Sequence, residues 1–262
     1  MSVAQACRAV LDMAEPRTKL MQARAVARAW KAGRLDYRFD CVMPDVPARP
    51  VAPELLPPNR MPKRGKAGSE RARIAMLHAL AHIEFVAIDL AFDLIGRFGT
   101  EFPRAFVDDW MQVGAEEAMH FALLDRRLRQ LGSHYGVLPA HDGLWQAATE
   151  TAHDAMARLA IVPMVLEARA LDITPTTIER FTQAGDMVSA KMLNRIVQDE
   201  IGHVAAGTRW FKQAANRNGY RAEEQYQILV NRHFRGVLKP PFNDSARRQA
   251  GLTRDFYAAL AY

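Results

Sequence analysis

Two copies of one short pattern constrain this chain more than anything else in it: Glu117-Ala-Met-His120 and Glu200-Ile-Gly-His203. Residues three apart on an α-helix share a face, so each pattern presents a carboxylate and an imidazole side by side, able to ligate one ion. A lone Glu-x-x-His means little, because both residues are ordinary on helices. These two sit where core residues belong. The first interrupts a stripe at helical spacing formed by Phe106, Trp110, Val113, Leu124, Leu128 and Leu131; the second interrupts Leu193, Ile196, Gly207 and Trp210. A carboxylate in such a stripe is costly unless it is paired, protonated or coordinated.

The surrounding sequence supplies helices to carry them. Ala, Leu, Met, Arg and Glu are abundant and alternating β-branched runs are absent, so the expectation is all-α. Residues 3–14 suit a short helix, and Pro16 opens a second that Gly33 closes. Residues 35–67 hold seven prolines and read as an extended segment wrapping the bundle. Ser69 caps a first bundle helix reaching about Arg97 and stopping at Gly99, and Pro103 opens a second that ends near Gly132. Asp142 caps a third, bent at Pro163, interrupted again at Asp172–Pro175, and closed by Ala184-Gly185-Asp186. The fourth runs through Trp210 to about Ala215. Beyond it lie a helix near Ala222–Phe234, a Lys239–Asn243 turn and a short terminal helix. The expected organisation is one domain over 1–262: N-terminal helices and wrap in 1–68, a four-helix metal-binding bundle in 69–216, and a helical extension in 217–262.

The first and third bundle helices each add one acid to an apolar stripe. Glu84 follows Leu77 and Leu80 and precedes Ile88, Ala91 and Ile95; Glu167 lies among Met156, Ala160, Met164 and Leu171. Four helices thus offer Glu84, Glu117 with His120, Glu167, and Glu200 with His203, the ligand set of dinuclear carboxylate bundles. The heights agree. Glu84 stands 15 residues before Gly99 and Glu117 18 after it; Glu167 stands 18 before Gly185 and Glu200 15 after it. Such oxygen and nitrogen donors suit two iron or two manganese ions. Glu116 and Asp199, each four residues before its His, are candidates to orient the imidazoles or are simply solvated charges.

Several stretches carry a family resemblance: Leu77-His-Ala-Leu-Ala-His-Ile-Glu84, Glu116-Glu-Ala-Met-His-Phe121, Pro139-Ala-His-Asp-Gly-Leu-Trp145, Arg158 through Arg169, Ala184-Gly-Asp186, Asp199-Glu-Ile-Gly-His-Val204 and Lys239-Pro-Pro-Phe-Asn243. Together they resemble the domain of unknown function 455 family over nearly the whole chain. More distantly the chain is similar to di-iron tRNA hydroxylases of the ferritin-like superfamily. The resemblance implies a ferritin-like metal-binding bundle and supplies no substrate.

Other polar residues have plainer readings. His82 is expected to be a hydrogen-bonded packing residue, Asp89 and Asp93 partners of buried arginines or caps, and Arg158 and Arg169 partners of acids within the bundle. Tyr135, Tyr257 and Tyr262 read as packing, with an electron relay as the alternative. Net charge alternates, at +8 over residues 1–73, −8 over 74–208 and +6 over 209–262. The acidic middle suits cation binding or a solvated bundle face. The basic flanks (Arg24, Arg28, Lys63, Arg64, Lys66, Arg232, Arg235, Lys239) are either a soluble surface or a track for phosphate backbone, without the aromatic interleaving that stacks bases.

The longest apolar stretch, Leu159 to Leu166, is too short to cross a bilayer. Cys7 and Cys41 form no disulfide framework, so a reducing cytoplasm is expected. The functional expectation is an oxygen-dependent oxidase or hydroxylase acting on a small molecule or RNA, with an unidentified electron donor and a possible homodimer. The alternatives are iron handling and a metal that only staples the fold.

Overall fold

The computed structural model describes residues 1–62 and 68–261. Regular structure among them is helical, with isolated bridges and no extended strand pairing. The chain forms two compact units, Met1–Trp145 and Gln146–Tyr262.

In the first unit, α1 (Val3–Leu11) begins with a capping box in which Ser2 and Gln5 exchange hydrogen bonds, and α2 (Pro16–Lys31) has Glu15 as its cap and proline in its first turn. The core is the hairpin of α3 (Glu70–Phe98) and α4 (Arg104–Gln130), joined through a single 3-10 turn at Gly99–Glu101. Ser69 caps α3 as its sequence promises, accepting from Ala72 N–H at 3.2 Å. α2 packs on α4 and α1 on α3. From Glu84 to Ile95 the helix α3 is buried on every side. Glu70–Glu101 is apolar and long enough to cross a membrane by composition, but 67% of its most apolar window is buried in the protein, as in a core helix.

The proline-rich stretch is held to this unit by main-chain bonds. Ala48 N–H donates to Leu11 O, Leu56 N–H to Ala140 O, and Arg97 donates to Pro44 O. Its basic end, Lys63, Arg64 and Lys66, lies outside the described residues, as does Tyr262. Asp89 meets Lys19 at 2.5 Å in the interior and the partly exposed Arg49 at 2.7 Å, and Asp93 takes a forked bond from Arg97. His82 donates through Nε2 to the His141 carbonyl, because a carbonyl can only accept, so its Nδ1 accepts the Tyr135 hydroxyl at 2.9 Å. These residues pack and pair as expected.

The third bundle helix departs from expectation. Helix α5 (Gly143–Glu150) ends early, and a new helix, α6 (Ala155–Ile161), starts after four intervening residues. Thr151 turns its hydroxyl back to Ala147 O, and Arg158 donates to Ala148 O and Thr151 Oγ1, closing α5. Asp154 then accepts from Met156 and Ala157 N–H. Asp142 is not the cap of a long helix: Gly143 N–H donates to His141 Nδ1, and Asp142 faces Arg49 at 3.8 Å.

In the second unit, α6 leads into a π-helical turn (Val162–Glu167) and then α7 (Ala168–Gln183). Pro163 has no N–H to give to the preceding turn, and Ala168 N–H bonds the Pro163 carbonyl, five residues back. Met164 O, whose α-helical donor is thereby taken, accepts the Tyr226 hydroxyl at 3.2 Å. Gly207 on α8 (Met187–Arg217) makes room: a Cβ there would stand 2.4 Å from Pro163 Cβ.

Asp172–Pro175 does not interrupt α7. A proline at 175 orphans the Leu171 carbonyl, and Asn243 Nδ2 fills that vacancy at 3.1 Å. The turn at Gly185 (φ +75°) is as read from sequence, and Asp186 caps α8 by accepting from Ser189 N–H. α9 (Ala222–His233) covers α6, α10 (Asp244–Gln249) lies on α8, and α11 (Arg254–Tyr257) packs on α9.

Candidate metal centre

Each unit assembles its own set of ligand-type side chains. In the first, Glu84 from α3 meets Glu117 and His120 from α4. His120 Nδ1 lies 3.5 Å from Glu84 Oε2 and 3.5 Å from Glu117 Oε2. Glu84 is 6% exposed, Glu117 1% and His120 0%. The three offer ligand atoms all within 4.8 Å of one another. The hairpin geometry causes this: two antiparallel helices joined by one tight turn bring residues 15 before and 18 after Gly99 to one level.

In the second unit, Glu200 and His203 on α8 repeat the pattern, with His203 Nδ1 3.5 Å from Glu200 Oε1. Both are buried. Glu167 closes the π turn and is only half-buried, with one carboxylate oxygen shielded from solvent. A stripe of uniform period would have buried it. The π turn inserts an extra residue into the helix, so Ala168 takes the fully buried position instead.

The spacings fit a shared ion better than a hydrogen bond. N–H···O bonds cluster near 2.9–3.0 Å, whereas two atoms each about 2.1 Å from one ion stand roughly 3.0–3.5 Å apart. The first unit's group also sets two carboxylates beside one imidazole in the interior, a donor set whose burial a cation would help to offset. Glu84, Glu117 and His120 therefore could hold a metal ion.

The acids that precede the motifs have partners on their own helices. Asp199 accepts from Arg195 Nε at 2.9 Å, and Glu116 from Gln112 at 3.0 Å. Aromatic rings adjoin the first group in sequence: Phe85 and Phe121 lie 5.4 Å apart, and Phe121 meets Tyr135 edge-on at 5.0 Å. Burial raises the Tyr135 pKa, so this phenol keeps its proton. Tyr257 belongs to the packing of the second unit. Its hydroxyl donates to Asp244 at 2.6 Å, and burial with that bond pushes its pKa up to about 12.

The groove beside α2 was not anticipated from the sequence. Arg24, Arg28 and Lys31 of α2 edge a groove of about 650 Å³ whose other wall is α4. Arg158 donates to Thr151 Oγ1 and Ala148 O at the end of α5, and Arg169 approaches Asp172 at 3.4 Å, the kind of partner expected for it. Arg247 was not singled out at all, although it is fully buried and forked onto Asp172 at 2.8 and 2.7 Å. Its partner lies 75 residues away, and a lone Arg-Arg pair in a short helix signals nothing.

A family described as "Protein of unknown function (DUF455)" matches residues 12–258. An uncharacterized protein of Haemophilus influenzae is 41% identical over 216 residues, which cover 80% of this chain and 75% of the relative. No solved structure matches.

Proposed function

The chain belongs to the DUF455 family, and on that footing we propose that it is a dinuclear non-haem iron or manganese protein with a ferritin-like bundle, acting as an oxygen-dependent oxidase or hydroxylase. The observation that carries this reading is the buried Glu84–Glu117–His120 group, whose i,i+3 pair recurs with the same 3.5 Å spacing in Glu200–His203. Glu167 is the sixth ligand of the proposed set. Four glutamates and two histidines are the complement such a centre requires.

When bound, the metal pair would supply dioxygen binding and its multi-electron reduction. The protein's part follows from its own groups. His120 and His203 present Nδ1 beside a carboxylate from the preceding turn, which presets donor direction before any ion arrives. Glu84, Glu117 and His120 are buried, and exclusion of water strengthens each electrostatic contact among them. Glu167 is the member left partly open to solvent, at the end of a π turn, and it marks the side where a small substrate can approach.

The test is anaerobic loading with iron(II), gel filtration, metal analysis and then exposure to oxygen. About two irons per chain and a transient near-ultraviolet absorbance on oxygenation are expected. H120A and E200A should each lower the iron content while the helical circular dichroism persists. Absence of retained metal in the wild-type protein would sink the proposal.

A further inference from the structure

The second unit contains a small cavity whose charges nothing above uses. It has a volume of about 180 Å³ and lies against the π turn at Val165 and Leu166, walled by Phe242 and by three cations, Arg169, Lys239 and Arg247. One acid, Asp172, shares the wall.

The arrangement of the guanidinium groups is specific. Arg247 is 1% exposed, and its Nε and Nη2 are committed to the two oxygens of Asp172. Its Nη1 is buried and makes no hydrogen bond among the described residues. A buried guanidinium N–H without an acceptor is costly. The Phe242 and Tyr257 rings hold the guanidinium in place, at 5.0 and 4.6 Å from their centroids. Arg169 Nη1 is anchored to the carbonyls of Lys239 and Pro241 at 2.7 and 3.2 Å, which fixes that side chain at the mouth. Asp172 neutralises one of the three cations, leaving a double positive excess around a small volume.

We propose that this cavity binds a dianionic phosphate group, with Arg169 and Lys239 as the donors at its mouth and the buried Arg247 guanidinium supplying positive charge behind them. The double charge favours phosphate over a carboxylate, and planar guanidinium groups suit its oxygens. The volume is below the ~300–1,000 Å³ of pockets that enclose a whole drug-sized ligand. It therefore receives the end of a molecule or the free ion. This inference does not depend on metal at the glutamate–histidine groups.

The experiment is calorimetric titration of the purified chain with inorganic phosphate, glycerol phosphate and acetate at matched ionic strength. The variants K239Q and R169Q are run alongside, together with thermal unfolding. Lys239 is exposed, so K239Q should fold as the wild type does. Saturable phosphate binding that falls roughly tenfold or more in both variants, the worth of one charge-assisted hydrogen bond, supports the site. Tighter binding of the ester identifies the group as the end of a small molecule, and equal binding identifies the free ion. No saturable phosphate binding overturns the proposal. So does binding that the variants leave unchanged, or acetate binding as tightly as phosphate.

Discussion

Replacing Gly207 with alanine tests whether α8 must approach the π turn as closely as it does. The new Cβ would stand 2.4 Å from Pro163 Cβ and 2.5 Å from Pro163 Cγ. Carbon atoms rest at about 3.5–4.0 Å, so the two helices must separate by about 1 Å or more at this point. A proline ring cannot swing aside as a flexible side chain would. Overpacking of this kind costs about 1–3 kcal/mol, against about 1 kcal/mol gained by alanine's better helix propensity. Gly202, on the same helix, is the control: it is exposed and a Cβ there meets nothing within 4 Å. G202A should therefore stabilise by about 1 kcal/mol. Propensity cancels between the two variants, so their difference isolates the clash at about 1–3 kcal/mol, or roughly 2–12 °C in melting temperature. Denaturant titrations and thermal scans followed by circular dichroism measure it. Equal stability of G207A and G202A would refute the close approach.

Two further outcomes follow from buried polar groups. Burial, reinforced by the nearby His134 and Arg49 respectively, lowers the pKa of His78 and of His82 from 6.5 to about 4. Both imidazoles accept hydrogen bonds in the fold, His78 from Gly136 N–H and His82 from Tyr135, so protonation breaks contacts. The unfolded chain takes up these protons near pH 6.5 and the folded chain only near 4. Their stabilisation is thus complete above pH 6.5 and lost as the pH falls towards 4, by up to about 3 kcal/mol per imidazole. H78Q and H82Q should flatten unfolding free energy against pH across that window, and an unchanged slope would refute the assignment. D172N removes the charge of a buried fork and replaces one of its two acceptor oxygens with a donor, and should destabilise by about 3–5 kcal/mol, read by urea unfolding. A loss below about 1 kcal/mol, the worth of an exposed pair, would show that the fork is solvated.

Much of the architecture was legible because its signals are local. Ser69, Pro16, Gly185 and Asp186 act within one turn of themselves, and each bounds a helix as read. The stripes carrying Glu117, His120, Glu200 and His203 were legible because the period of an unbroken α-helix is constant, and all four are buried. The rest depends on distant partners. Nothing near Pro175 announces that Asn243 will satisfy Leu171, and nothing near Asp89 announces Lys19, 70 residues earlier. The break at Thr151–Asp154 was missed for another reason. Thr and Asp are neutral signals inside a helix unless a side chain such as Arg158 folds back to close the turn.

The π turn has a consequence for numbering as well as for packing. Each residue advances an α-helix by about 100°, so an extra residue accommodated between Val162 and Glu167 sets α6 and α7 out of phase. A template of constant pitch slid along 155–183 misassigns every side chain after the insertion. Deleting a single position there would leave composition and hydropathy almost untouched, yet it would rotate Arg169 away from the Lys239 and Pro241 carbonyls and Asp172 away from Asn243 and Arg247, detaching the C-terminal arm from α7.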